Sequence, residues 1–391
     1  MKHLFQLCFL LIIGFAFQSC NDEIKTEFKD YTDEEYALLS SVLDLPQGAY
    51  DYSPEFDQGF LSQQNVTNID VRKSNHKATL GRVLFYDNLL SKNGTISCAS
   101  CHKQELAFAD DVSLSEGFEG GLTLRNSLPL GNTIGFETSY GGGSSFVVQS
   151  AQFGWDEANE NLEEQSVAAI TSEIEMGLHM QEALNLVKEQ DYYKVLFNKA
   201  YGTELARESL MLDAIQEFVN SIVSADSKFD QAKMETRGGL FFDFDAFTTE
   251  ENRGKQLYNN SCANCHSFDH QFTAVAIANN GLDMIYEDKG VGEVTGRPFD
   301  NGVFKVPFLR NIELTAPYMH DGRFETLEDV VEHYSSGIQD HENLHFNLKN
   351  NNNSSPNMNF SDQDKSDLVA YLKTLTDETL LADVRFSDPF K

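Results

Sequence analysis

Two copies of the pattern Cys-x-x-Cys-His constrain this 391-residue chain more than any other feature. The first copy occupies residues 98–102 (CASCH) and the second occupies residues 262–266 (CANCH). Two cysteines at this spacing can each bond one vinyl group of a porphyrin, and the adjacent histidine can coordinate its iron. The pattern therefore predicts two covalently bound c-type haems. The predicted haem-binding residues are Cys98, Cys101, His102, Cys262, Cys265 and His266.

Other kinds of site also use a Cys-x-x-Cys pair. A structural zinc site would place a second pair at short range, whereas the two pairs here lie in opposite halves of the chain. A redox-active dithiol is disfavoured in an exported chain that has few other cysteines. Those others, Cys8 and Cys20, lie near the N-terminus, so none is left for a structural disulfide. Zinc and a redox dithiol are the alternatives to haem.

The N-terminus has the features of a targeting segment. Lys2 and His3 precede an apolar run over residues 4–17, and Cys20 follows shortly after. This run is too short for a spanning helix with stop-transfer flanks. We interpret residues 1–20 as a lipoprotein-type signal segment in which Cys20 carries the lipid, with ordinary cleavage nearby as the alternative. Both readings export the chain to the periplasm or cell envelope, and the lipid would be its only membrane contact.

Composition excludes one class of partner. The chain has 29 basic and 61 acidic residues, for a formal net charge of −32. Such an acidic surface repels nucleic acid and favours basic partners, although solubility alone explains it equally well. Apolar residues make up 41% and aromatic residues 12%, which is enough for folded domains with real cores.

The chain divides into regions around its two motifs. Residues 21–60 are acidic and polar, and we interpret them as a tether to the first domain. We assign residues 61–232 to an N-terminal haem domain and residues 233–391 to a C-terminal haem domain. The predicted fold is mainly α, with two cytochrome c-like domains and the haems near their interface.

Several helices can be located from apolar spacing and capping residues. Thr32 begins a short amphipathic helix in the tether, and Thr249 begins one that leads into the second motif. Apolar positions at helical spacing predict a further helix over residues 204–223. Ser361 caps a helix near the C-terminus. The Gly-rich stretch over residues 117–143 is poor in regular structure, and loops of this kind usually cover something.

Further motifs follow one another along the chain in a fixed order. They are LGRVLFYD (80–87), RN (125–126), WD (155–156), EMG (175–177), KVPFLRN (305–311) and TAPYMHDGR (315–323). With the two haem motifs, this order and spacing resembles the bacterial dihaem cytochrome c peroxidase family, which includes the MauG-type enzymes. The likeness covers about residues 76–390.

The resemblance implies roles for individual residues. The first haem would react with peroxide, and Glu175 matches the distal acid/base that moves the peroxide proton. Gln165 matches a second polar distal residue, while Ala169 stands where many relatives have proline. Trp155, the only tryptophan, matches the residue that carries electrons between the haems. From the residues alone, a surface glutamate and a core tryptophan would be the simpler interpretations.

The resemblance also implies a calcium ion between the domains. The matching positions are Asn126, Thr315 and Pro317. Side-chain and carbonyl oxygens are the ligands that Ca²⁺ prefers. We therefore include calcium among the expected cofactors.

Two positions depart from the commonest family pattern. In relatives that need reductive activation, a loop histidine caps the first iron, but the corresponding residue here is Phe118. We expect a first iron that is five-coordinate without activation. At the second haem, many relatives use methionine where this chain has Tyr334, as in MauG-type enzymes. Tyr334 is thus the expected sixth ligand, with Met319 as the alternative and His333 third.

Three functions are compatible with these residues. The first is a peroxidase that reduces hydrogen peroxide to water with electrons from a small cytochrome or cupredoxin. The second is a MauG-type oxidase that uses peroxide to oxidise a partner protein or another substrate. The third is a dihaem electron carrier without catalysis. Glu175 and Trp155 argue against a mere carrier, and a homodimer is a further hypothesis.

Overall fold

The computed structural model describes residues 31–53, 75–133, 152–236, 239–268, 270, 273–349 and 357–391. Helices dominate these residues, which confirms the mainly α prediction. The α-helices α1 to α14 are Asp33–Leu39, Asn75–Tyr86, Cys98–Cys101, Leu162–Thr171, Met180–Glu189, Asp191–Tyr201, Glu208–Ser221, Lys228–Glu235, Thr249–Ser261, Ala263–His266, Val291–Thr295, Leu327–Glu332, Asp362–Lys373 and Glu378–Leu381. Strands β1 (Ile277–Ala278) and β2 (Phe304–Lys305) form an antiparallel pair.

A close crossing of α2 and α7 organises the core of the first half. A Cβ atom on Gly81 would lie 1.9 Å from the carbonyl oxygen of Ala214, so only glycine permits the two backbones to approach this closely. The buried rings of Phe85 and Phe218 lie 5.3 Å apart beside the crossing. Cys98 and Ala99 pack against this core, so the core supports the short helix α3 that carries the first motif.

The second half repeats this arrangement. Helices α9 and α13 cross at Gly254, where a Cβ atom would lie 1.9 Å from the carbonyl oxygen of Asp367. The ring of Tyr371 lies 5.2 Å from that of Tyr258, and both are fully buried. Each haem motif therefore stands beside one glycine-mediated helix crossing.

Elements near the proposed domain boundary pack on both cores. Helix α8, which spans residue 232, contributes Phe229 to the second core. In the opposite direction, Leu380 and Phe386 from the C-terminal segment belong to the first core. Arg82 Nε donates to the carbonyl oxygen of Ser387 at 2.6 Å and ties that segment down. The two halves are thus joined by exchanged segments as well as by the chain between them.

The predicted capped helices are present. Thr32 and Glu35 form a reciprocal capping box at the start of α1, and Leu39 of that helix is buried in the first core. Ser361 caps α13 in the same way, and Thr248 caps α9, one residue before the predicted start. The helix predicted over residues 204–223 is shorter, because α7 begins only at Glu208.

The signal segment and Cys20 lie outside the described residues, so lipidation stays a prediction. Among the residues that the structure describes, no helix has the length and hydropathy needed to cross a membrane.

We expect Gly254→Ala to lower the free energy of unfolding by about 1–3 kcal/mol, because the new methyl group would overlap a main-chain oxygen. Gly131→Ala is the matched control, since no atom lies within 4 Å of its added Cβ. Chemical denaturation of both haem-loaded variants measures the difference. Equal stability of the two variants would contradict the close crossing.

Candidate haem sites and peroxide site

The first proximal histidine is fixed by its Nδ1 atom. His102 follows α3, and its Nδ1 lies 3.0 Å from the carbonyl oxygen of Phe108 and 3.2 Å from Ser127 Oγ. A carbonyl oxygen only accepts, so Nδ1 carries the hydrogen and Nε2 keeps its lone pair for a metal. Burial lowers the pKa of His102, which favours the neutral imidazole that coordinates iron.

The second proximal histidine is held in the same way. His266 ends α10, and its Nδ1 lies 3.0 Å from the carbonyl oxygen of Pro307. Burial lowers the pKa of His266 to about 4, so the ring is neutral at physiological pH. Pro307 lies within the KVPFLRN motif, and its carbonyl oxygen gives that motif a role beside the second haem motif.

The cysteines fit thioether attachment better than the alternatives. All four motif cysteines are without a disulfide bond. Burial raises the pKa of Cys98 and of Cys262 to about 12, which is opposite to the lowered pKa of a reactive dithiol. Within the described residues, no group of three or more His, Cys, Asp or Glu side chains is arranged to hold a metal ion.

An apolar cavity opens beside the second motif. Cys262, Cys265 and His266 line it, and so does Trp155 from the first half of the chain. Most of its wall is hydrophobic, as a macrocycle of fused apolar rings requires. These residues would hold a c-type haem through two thioether bonds and the imidazole.

Glu175 lies close to the first motif in a poorly solvated position. Its charge raises the pKa of both Cys98 and Cys101, after the larger effect of burial. Burial raises the pKa of Glu175 itself to about 7. The backbone amide of Glu175 donates to Ser172 Oγ at 3.2 Å, which fixes the turn after α4. A carboxyl group with this pKa can both accept and return a proton near neutral pH.

Phe118 contacts the segment that carries Glu175. Its amide donates to the carbonyl oxygen of Glu175 at 3.0 Å, and its ring is buried. A Cβ atom on Gly177 would lie 2.4 Å from this ring, so the glycine makes room for it. The loop residue that replaces the family's histidine is therefore a phenyl group packed on the EMG motif. Residues 134–143 of the same Gly-rich stretch lie outside the described residues.

Gln165 lies on α4, ten residues before Glu175. Its Oε1 accepts a hydrogen bond from Asn159 Nδ2 at 2.9 Å, and its side chain is half-buried. Ala169 is half-buried on the same helix. The role of Gln165 beside peroxide stays a prediction.

Trp155 connects several of the sequence motifs. Its Nε1 donates to the carbonyl oxygen of Asn126 at 2.8 Å, and its carbonyl oxygen accepts from the Lys305 amide at 2.8 Å. The indole lies edge-on to His320, with 6.5 Å between ring centroids. His320 in turn stacks on Phe304 at 3.8 Å. Trp155 is thus rigidly held at the wall of the second cavity.

Ser127 is a site residue that the sequence reasoning missed. Its hydroxyl donates to the carbonyl oxygen of Cys101 at 2.7 Å and lies against His102 Nδ1. The preceding residue, Asn126, accepts from Trp155. Asn126 and Ser127 therefore join the first proximal histidine, His102, to the indole of Trp155. The position of Ser127 directly after the RN motif was the signal that could have identified it.

The three candidates for the sixth ligand of the second haem occupy different positions. Tyr334 and Met319 both line the cavity with His266. Tyr334 belongs to a single π-helical turn, His333–Gly337, and such turns are frequent at functional sites. His333 instead directs Nε2 to the carbonyl oxygen of Asn280 at 3.2 Å.

Residues of the expected calcium site line the second cavity. They are Asn126, Thr315 and Pro317. Asn126 Nδ2 donates to the carbonyl oxygens of Val112 and Ser113, at 3.2 and 3.3 Å, which fixes the orientation of its carboxamide. This set of amide, hydroxyl and carbonyl oxygens suits Ca²⁺, and the ion stays a prediction.

Comparison with known proteins decides the family. Di-haem cytochrome c peroxidases match residues 75–237 of the chain, and cytochrome c matches residues 251–376. The cytochrome c551 peroxidase of Nitrosomonas europaea is 33% identical over 304 residues, which cover 76% of this chain and 79% of that protein. The chain belongs to the dihaem cytochrome c peroxidase family.

Other members of the dihaem peroxidase family are similarly related. The methylamine utilization protein MauG of Methylorubrum extorquens is 31% identical over 312 residues, covering 77% of this chain and 78% of that protein. A solved MauG-like protein associated with microbial copper homeostasis has a TM-score of 0.68 and 32% identity, over 82% of this chain and 95% of that chain. Family membership confirms the predicted peroxidase-type oxidoreductase function and the two c-type haems.

We expect the fully oxidised, haem-loaded protein to show a high-spin ferric signal beside a low-spin one in electron paramagnetic resonance. The reason is that Phe118 carries no atom that can coordinate the first iron. Phe118→Leu, which is equally unable to coordinate, should keep the high-spin signal. Two purely low-spin haems in the unaltered protein would show that another residue binds the first iron.

Proposed function

We propose that this protein reduces hydrogen peroxide at the first haem, with Glu175 as the acid/base, and that Trp155 links this site to a second haem ligated by His266 and Tyr334. The observation that carries the proposal is the half-buried carboxyl group beside the first motif, whose pKa burial raises to about 7. A haem bound at residues 98–102 supplies the redox-active iron at which the peroxide bond is cleaved.

Glu175 acts on the proton of the peroxide. As a carboxylate it accepts the proton from one peroxide oxygen, and as the neutral acid it returns that proton to the departing oxygen. A group with its pKa near the working pH is present in both forms, which makes both transfers efficient. The buried Phe118 ring and the fixed turn at Ser172 keep the carboxyl group at one place beside the motif.

Electrons cross between the halves through the indole of Trp155. The hydrogen bonds from Ser127 to Cys101 and from Trp155 to Asn126 give a short path of contacts from the first motif to the second cavity. We propose a small cytochrome or cupredoxin as the electron donor, and the net charge of −32 favours a basic docking face on it.

One observation favours a second candidate, a MauG-type oxidase. The π-helical turn at the second cavity carries Tyr334 and no methionine. A phenolate ligand stabilises ferric iron and lowers the reduction potential relative to His/Met ligation. Such a haem would share oxidising equivalents with the first and could oxidise a partner protein or another substrate.

The remaining features belong to this proposal as well. Export to the periplasm through the segment of residues 1–20, and lipidation at Cys20, place the enzyme where c-type haem is attached. A calcium ion at Asn126, Thr315 and Pro317 would stabilise the junction of the two halves, since residues from both halves line this cavity. Assembly as a homodimer stays a prediction.

We expect Glu175→Gln to keep both haems and to slow the reaction with peroxide by ~10²–10⁴-fold, because the proton relay is lost. In the unaltered enzyme the rate should rise about tenfold between about pH 6 and about pH 8, since the raised pKa leaves most of Glu175 protonated at the lower pH. Stopped-flow mixing with peroxide measures both effects.

Glu173→Gln is the matched control, since Glu173 is an exposed residue two positions earlier. It should retain the native rate and the native pH profile. A Glu175→Gln enzyme that keeps the rate would exclude Glu175 as the acid/base.

The ligand of the second haem distinguishes the two candidate functions. We expect Tyr334→Met to raise the reduction potential of that haem and Met319→Leu to leave it nearly unchanged, because a thioether favours ferrous iron and a phenolate opposes it. Spectroelectrochemical titration of the haem-loaded variants makes the measurement. If only Met319→Leu moves the potential, Met319 is the ligand and the plain peroxidase is the correct assignment.

A further inference from the structure

One residue, Asn280, contacts both rivals of Tyr334 for the sixth position of the second haem. Its side-chain Nδ2 donates to Met319 Sδ at 3.5 Å. Its carbonyl oxygen lies 3.2 Å from His333 Nε2. Asn280 also lines the cavity beside His266. No motif in the sequence indicated this residue.

The backbone on both sides holds Asn280 in place. It follows β1, which pairs with β2 through Ala278 and Phe304. The carbonyl oxygen of Asn279 accepts from His345 at 3.0 Å, and the carbonyl oxygen of Gly281 accepts from Gln339 at 2.7 Å. The carboxamide therefore extends from a fixed main chain, and a change of side chain leaves these backbone bonds intact.

The contacts of Asn280 act differently on each rival. A carbonyl oxygen only accepts, so His333 Nε2 carries its hydrogen and has no lone pair for iron. The carboxamide nitrogen directs a hydrogen at Met319 Sδ, which occupies the thioether.

We propose that Asn280 selects Tyr334 as the sixth ligand of the second haem by withholding its two rivals, Met319 through the side-chain amide and His333 through the main-chain carbonyl oxygen. The inference rests on the proposed ligation by Tyr334 and adds the residue that determines it. Asn280 is thus a positioning residue, which acts on iron through its neighbours.

The test is the ligand state of the haem-loaded Asn280→Leu variant. Leucine has a similar size but no donor, and it leaves the carbonyl oxygen that binds His333. We expect Met319 to replace Tyr334, so that the thioether-to-iron absorption band appears in the ferric spectrum. The one-electron reduction equilibrium of the second haem should shift at least tenfold towards ferrous iron, a rise of 59 mV or more. Asn280→Ala also removes the donor, and it should shift the reduction equilibrium in the same direction.

Two further variants identify the cause. Asn280→Leu combined with Met319→Leu should lose the new band, because no thioether remains. Asn347→Leu is the matched control, since Asn347 Nδ2 faces a different sulfur at the same haem motif, Cys265 Sγ at 3.9 Å. This control should keep the native spectrum and potential.

The outcomes separate this inference from the proposed function. If Tyr334→Met raises the potential but neither Asn280 variant produces the band, Tyr334 is the ligand and Asn280 does not select it. If Tyr334→Met has no effect either, ligation by Tyr334 is itself wrong. An unchanged or lowered potential in Asn280→Leu without the band also overturns the selection.

Discussion

Both candidate haem sites depend on one interaction, the hydrogen bond from a proximal imidazole to a main-chain carbonyl oxygen. His102 is bound to Phe108 and His266 to Pro307, each at 3.0 Å. The bond sets the tautomer, and burial keeps each ring neutral, so that Nε2 is available to iron. Because the carbonyl oxygens belong to loops, those loops must be held firmly. The glycine-mediated helix crossing beside each motif gives them that support.

The contact between the two halves depends on the anchored position of His102. Ser127 lies against His102, and the adjacent Asn126 accepts from Trp155, which lines the second cavity. The indole is therefore connected by main-chain and side-chain hydrogen bonds to the first motif while its ring belongs to the second site. We propose that this coupling also serves electron transfer, since a rigid aromatic group between two redox centres shortens each transfer step. Segments exchanged across the boundary, such as α8 and Phe386, keep the geometry fixed.

The two sites differ in what faces the iron. Beside the first motif, Phe118 packs on the EMG segment and contributes no ligand, while burial moves the pKa of Glu175 into the neutral range. Beside the second, two potential ligands, Tyr334 and Met319, line one cavity, and the carboxamide of Asn280 donates to Met319 Sδ. Under the proposed function, an iron left open beside Glu175 would suit peroxide, and an iron with two protein ligands would suit electron transfer. On that proposal, the ligand at the second haem would determine how far the protein departs from a simple peroxidase.

The sequence by itself determined everything that depends on local spacing. The Cys-x-x-Cys-His motifs specified both haems, and Thr32 and Ser361 specified where helices begin, because capping uses neighbouring residues. The motif order identified Glu175 and Trp155 by position. Only the tertiary structure decided which distant groups meet. The pKa of Glu175 depends on burial by other segments, and Asn280 reaches Met319 and His333 across 39 and 53 positions of chain. Hydrogen bonds between such positions leave no periodicity in a sequence, so they become visible only after the chain has folded.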